Sequence, residues 1–188
     1  MAIPASGKSC RPDAFLFEIL DSAIHIVIMG VAGCGKSSLG AALAAAEGLP
    51  LVEGDDFHSQ HSRDKMAAGI PLTDADRAGW LHTLGTQLQA HAGGVVLTCS
   101  ALKKAYRDRL RAAAPGLRFA FLEITRDEAL RRVAARGSHF FNASLVDNQF
   151  ATLESPVGEA GVLRLDATDP PDSLQRRVSA WLHQKSPA

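Results

Sequence analysis

Gly30-Val31-Ala32-Gly33-Cys34-Gly35-Lys36-Ser37 spells G-x-x-x-x-G-K-S, the spacing of a loop that cradles phosphate. Its neighbours decide how it is read. Upstream lies Ile24-His25-Ile26-Val27-Ile28-Met29, rich in β-branched residues, which predicts a short buried strand. Downstream, Ser38-Leu39-Gly40-Ala41-Ala42-Leu43-Ala44-Ala45-Ala46 consists of good helix formers. Strand, glycine loop and helix together give the motif physical sense. Glycines let successive backbone N–H groups turn toward one anion, and a helix N-terminus adds partial positive charge. Lys36 can then reach the β- and γ-phosphates, and the Ser37 hydroxyl can ligate Mg²⁺. A second fragment, Ser6-Gly7-Lys8-Ser9, lacks both the upstream glycine and the strand and is read as tail.

Outward from the loop, the chain alternates strand and helix. Further strands are predicted at 49–53, 95–99, 117–124 and 162–166, with helices at 73–91, 102–114, 126–136, 144–153 and 170–183. Thr73 is placed as an N-cap with Asp76 three residues on, a carboxylate form of the capping box. Five strands separated by helices predict an α/β fold, a parallel five-stranded sheet flanked by helices on both faces. In such sheets ligands bind beyond the carboxyl ends of the strands. Polar residues just after strands are therefore the chemical candidates.

Bulk properties narrow the class. At 188 residues, 46% hydrophobic and 21% charged, the chain reads as one globular domain. Lys+Arg and Asp+Glu both number 20, so no basic excess points to nucleic acid or an anionic membrane. Phe15 to Asp21 is apolar but broken by Glu18 and Asp21, too short and charged for a signal core or a membrane span. Residues 1–22 are read as an N-terminal extension and 23–188 as the single domain. Cys10, Cys34 and Cys99 fit neither a zinc site nor a disulfide framework, which suits a reducing, cytoplasmic setting.

Three strand ends carry the candidates. After strand 2 comes Gly54-Asp55-Asp56-Phe57-His58. Asp55 could accept a hydroxyl proton or orient metal-bound water; Asp56 and His58 could bind polyol hydroxyls. The alternative is a solvated turn whose Asp caps the next helix. Lys65 and Arg77 are candidates for an anionic substrate, since a guanidinium fork matches a carboxylate; from spacing alone, a charged helical surface with local pairs is the favoured reading. After strand 3, Ser100 is placed to cap the helix or touch substrate, and Arg107 follows almost two turns later. Strand 3 ends in Cys99 rather than Asp, which leaves Ser37, phosphates and water to hold the metal, with Asp55 as a further candidate. Arg132 and Arg136 lie four apart on one helix face before Gly137. They read either as a closing lid over a transferring phosphoryl group or as a solvent-facing basic helix.

These segments resemble the gluconokinases of the small phosphate-loop type. The resemblance rests on the loop at 30–37, on Gly54-Asp55-Asp56-Phe57-His58, and on Lys65-Met66 with Pro71-Leu72-Thr73-Asp74-Ala75-Asp76-Arg77 and Trp80-Leu81. It continues through Cys99-Ser100-Ala101-Leu102-Lys103-Lys104-Ala105-Tyr106-Arg107-Asp108, His139-Phe140-Phe141 and Gln149-Phe150-Ala151-Thr152-Leu153-Glu154. It implies a nucleoside-monophosphate-kinase-like P-loop fold with a substrate-binding helical region and a lid near 126–143. It also implies ATP:D-gluconate 6-phosphotransferase activity, with ATP and Mg²⁺, in a cytoplasmic homodimer. Lys36, Asp55 and Arg132 are then expected to carry the chemistry. Gly30, Val31, Ala32, Gly33, Cys34, Gly35, Lys36, Ser37, Ser38, Arg132 and Arg136 would hold the nucleotide, with Ser37 on the metal. Asp55, His58, Lys65, Arg77, Ser100 and Arg107 would hold gluconate. Two positions depart from the pattern: Cys34 stands where the family often has Ser, and Ser138 where a Gly often precedes the lid His. A shikimate-type kinase is the first rival, but it would carry a glycine-rich turn after strand 3. A non-catalytic nucleotide-binding module is the second, and it would be expected to lose Lys36, Asp55 or the lid arginines.

Overall fold

The computed structural model describes residues 23–135 and 143–184. The expectations for the extension at 1–22, for Arg136 and for His139 fall outside those residues. Five parallel strands form one sheet in the order β2-β3-β1-β4-β5. They are β1 (Ile24–Met29), β2 (Leu51–Glu53), β3 (Gly94–Thr98), β4 (Arg118–Glu123) and β5 (Val162–Asp166). Between and after them run α1 (Lys36–Glu47), α2 (Gln60–Ala67), α3 (Asp74–Ala90), α4 (Lys104–Ala113), α5 (Arg126–Ala135), α6 (Ala143–Thr152) and α7 (Pro171–Leu182).

The two-residue period of β1 explains how the sheet is covered on both faces. Ile26 and Ile28 point into one core with Leu39 and Leu43 of α1 and Leu174 and Val178 of α7. Val27 and Met29 point into the other, with Trp80, Leu84 and Leu88 of α3 and Leu110 of α4. All four β1 residues are fully buried, so the strand reads as a continuous apolar run rather than an alternating one. With β1 central, the loop after it and the turn after β3 emerge side by side.

The capping box appears as expected: Asp76 N donates to Thr73 Oγ1 at 3.2 Å, and Thr73 N donates to Asp76 Oδ2 at 2.8 Å. Helix α2 is an addition to the predicted elements. Its sequence, QHSRDKMA, is polar on nearly every side and buries only Ser62, so it carries no apolar stripe. Ser59 starts it, accepting from Ser62 N at 3.1 Å. Strand β2 begins at Leu51, two residues later than predicted. Pro50 precedes it without an N–H to give, although its carbonyl accepts from Val96 N at 3.0 Å.

Candidate active site

A cleft opens at the carboxyl ends of β1, β2 and β3. Ala32, Gly33, Gly35, Lys36 and Ser37 line one side, and Asp55, His58, Arg77 and Ser100 line the other. The loop is shaped by close approach. Gly33 has φ 81, and a Cβ there would sit 2.8 Å from the Ala129 carbonyl oxygen of α5. Only glycine lets the loop lie against that helix. Lys36 begins α1, and its Nζ donates to the carbonyls of Gly30 and Val31 at 3.1 Å each. Cys34 is buried, whereas Ser37 and Ser38 are exposed on the first turn of the helix. From α6, the Gln149 side-chain oxygen accepts from Ala32 N at 2.7 Å.

The opposite wall is built on a short 3₁₀ turn, Gly54–Phe57, directly after β2. Trp80 of α3 donates from Nε1 to the Gly54 carbonyl at 2.7 Å and stacks on His58 with ring centres 4.3 Å apart. These contacts aim Asp55 outward, its side chain 81% exposed, with His58 Nε2 4.0 Å from its Oδ1. Burial of the imidazole lowers the His58 pKa, and the positive charges of Arg77 and Arg63 act in the same direction; the Asp55 charge opposes them. His58 Nδ1 is buried without a hydrogen-bond partner among the described residues. Arg77 is fixed at one corner by donation to the Leu72 carbonyl at 2.5 Å, and its guanidinium lies 5.9 Å from the centre of the Tyr106 ring. Phosphate-type loop, exposed carboxylate and guanidinium thus line one space.

Comparison with known proteins points the same way. An AAA domain family model matches residues 26–156. The gluconokinase of Gluconobacter oxydans is 42% identical over 150 residues, covering 78% of this chain and 84% of that protein. The thermoresistant gluconokinase of Escherichia coli is 39% identical over 151 residues, covering 78% and 86%. The chain belongs to the gluconokinase family. Among solved structures, a gluconokinase from Sinorhizobium meliloti superposes with a TM-score of 0.80 at 44% identity, covering 86% of this chain and 92% of that one.

Not every residue expected from sequence enters the cleft of this gluconokinase-family chain. Lys65 is turned onto Asp76, with 2.9 Å to each carboxylate oxygen. That pair ties α2 to the cap of α3, close to where Arg77 is fixed. Arg107 is corrected more fully. It is 0% exposed, its fork is engaged by Glu159 and by the carbonyls of Ala101 and Leu102, and it does not line the cleft. Arg132 bonds Glu128 one turn back at 2.6 Å, while its neighbour Val133 lines the cleft. Together Arg131 and Arg132 hold the Glu128 carboxyl down at about 2.

Two side chains that bond the phosphate loop from other elements are not singled out by sequence reading. Glu53 Oε2 accepts from Ser37 Oγ at 3.1 Å and also from Thr98 Oγ1. The end of β2 thus sets a carboxylate beside the Ser37 hydroxyl. Placement at a strand end is the available signal, but Glu53 reads as the last residue of the strand itself. Gln149 is visible only as part of a family-like segment, with nothing local to show that it reaches Ala32.

Proposed function

We propose that this chain transfers the γ-phosphoryl group of ATP to the 6-hydroxyl of D-gluconate, giving 6-phospho-D-gluconate and ADP. The observation that carries the reading is the shared cleft: Lys36 and Ser37 face Asp55, His58, Arg77 and Ser100 across one space. The loop suits the triphosphate, since Gly35, with open space where a Cβ would stand, lines the cleft at the start of α1. Ser37, with Glu53 beside it, would hold Mg²⁺, which when bound offsets phosphate charge.

Within this reading, residues 30–38 bind the phosphates and Lys36 neutralises charge on the transferred group. Asp55 accepts the proton of the 6-hydroxyl as its oxygen bonds to phosphorus and the bond from phosphorus to the departing ADP oxygen breaks. Arg77 takes the gluconate carboxylate, and His58 and Ser100 bind hydroxyls. Arg132 exchanges Glu128 for phosphate oxygens as the lid closes, and Arg136 is assigned to the same side on its spacing. Lys65 acts by holding the start of α3. The family resemblance supports the remaining parts of the reading, a cytoplasmic homodimer.

ADP release measured against a panel of sugar acids tests this directly. Gluconate should stimulate release and shikimate should not. Lys36→Met should abolish turnover while leaving the thermal melt unchanged. Stimulation by shikimate alone would favour the rival kinase. No stimulation by any acid would favour a non-catalytic nucleotide-binding module.

A further inference from the structure

We infer that Arg107 is a positioning residue for the acceptor wall: with Glu159 it clamps the turn Ser100–Ala101–Leu102 in the conformation that presents Ser100 to the cleft. The inference rests on the functional reading above, because it assigns that wall to the acceptor. Three observations carry it.

Arg107 is a fully buried charge, an arrangement that hydrophobic residues would often replace without loss if stability alone were at stake. Its donors are divided between an acid and a turn. Nε donates to both Glu159 oxygens at 3.1 Å and Nη2 donates to Oε1. Nη1 donates to the carbonyls of Ala101 at 2.9 Å and Leu102 at 3.1 Å. A planar fork can serve both sets at once, and an ammonium cannot. Arg111 braces the same acid, with 2.9 Å to Glu159 Oε2.

The turn it holds is strained. Ala101 has φ 45, the one positive φ at a non-glycine position among the described residues. Alanine adopts that conformation only where its surroundings over-determine it. Ala101 is buried, whereas Ser100 next to it lines the cleft. A second tether arrives from the same side: Glu154 N donates to the Leu102 carbonyl at 2.9 Å, and Lys104 N donates to Glu154 Oε2 at 2.6 Å. The strap from Glu154 to Glu159 therefore grips the turn at the Leu102 carbonyl and the following N–H, and reaches the Ala101 carbonyl through Arg107.

Arg107→Lys and Glu159→Gln keep the volume and lose the fork pairing, so they test the clamp. Steady-state kinetics should show the gluconate KM rising about tenfold or more, since small misplacements near a reacting group are costly, with the ATP KM within about twofold of the wild type. Hydrogen exchange should quicken in peptides covering 99–104 and stay unchanged in those covering 30–37. Ala101→Gly in the Glu159→Gln background should recover part of the gluconate KM, because glycine holds the left-handed conformation unaided. Gluconate and ATP KM values rising together in step with a lost melting temperature would overturn the proposal, as would unchanged exchange at 99–104. If both variants are unfolded at 25 °C, the pair holds the fold rather than the turn and the proposal fails. Should the wild-type protein turn over no gluconate, the functional reading fails by itself, and the exchange rates still decide the clamp.

Discussion

Gly54→Ala should damage both stability and turnover, and the structure gives the size of the effect. A Cβ at Gly54 would lie 2.2 Å from the Thr98 carbonyl oxygen, with Leu84 Cδ1 at 3.5 Å. Ordinary contact begins near 3.4 Å, so the ends of β2 and β3 would have to part by about 1.2 Å. Both groups are backbone, in paired strands whose register sets Glu53 opposite Thr98, so no side chain can swing aside. Overpacking of this kind costs roughly 3 kcal/mol. For a domain of this size that lowers the melting temperature by about 6–12 °C. The displaced segment carries Glu53 and Asp55, and a shift near 1 Å at a reacting group costs on the order of 100-fold in rate. Gly79→Ala is the control. That glycine lies within α3, and a methyl group added there would meet nothing within 4 Å. Alanine should therefore stabilise the helix by about 1 kcal/mol and leave turnover intact. Thermal melts and the coupled ADP assay on the two variants suffice. Wild-type melting and turnover in Gly54→Ala would refute the reasoning.

Asp55→Asn should lower kcat by about 10²–10⁴-fold, the usual worth of a positioned base, with little change in the ATP KM; a loss confined to ATP binding would contradict its assigned role. Glu53→Gln keeps an acceptor for the Ser37 and Thr98 hydroxyls but removes the charge, so half-maximal activity should require more Mg²⁺. An unchanged Mg²⁺ titration would remove Glu53 from the metal side. Because burial lowers the His58 pKa, the unfolded chain takes up this proton more readily than the folded one. Its contribution to stability is whole above about pH 6.5 and declines as the pH falls from there toward the lower folded value. In His58→Gln, urea midpoints should vary less across that window, and parallel curves for the two proteins would refute the assignment.

Local chemistry was legible in the sequence, and long-range pairing was not. The phosphate loop, the Thr73–Asp76 cap and the buried strand β1 each follow from residues within a few positions of one another. Asp55, His58 and Ser100 are legible because strand ends in a parallel sheet converge on one edge; Arg77, inside α3, is legible only as a basic side chain suited to an anion. Lys65 and Arg107 read as ligands in the sequence for the opposite reason. A basic side chain near an anion site looks like a ligand until its acid is known, and their acids, Asp76 and Glu159, lie 11 and 52 residues away. Glu53 shows a third case, in which the strand pattern hid a polar residue whose partners, Ser37 and Thr98, come from two other elements. Helix α2 was missed because polar capping rather than an apolar stripe defines it.

The order in which these contacts lie along the chain bears on how the protein is made. A nascent chain that has emerged as far as Asn148 already contains the phosphate loop and the turn after β3. Each still lacks its last tethers, because Gln149 reaches Ala32, Glu154 reaches Lys104, and Glu159 reaches Arg107. Strand β5, which completes the sheet beside β4, follows only afterwards. During synthesis from the N-terminus, the binding surface is therefore written early and locked late, by a segment of about a dozen residues that arrives when most of the sheet is already available to receive it.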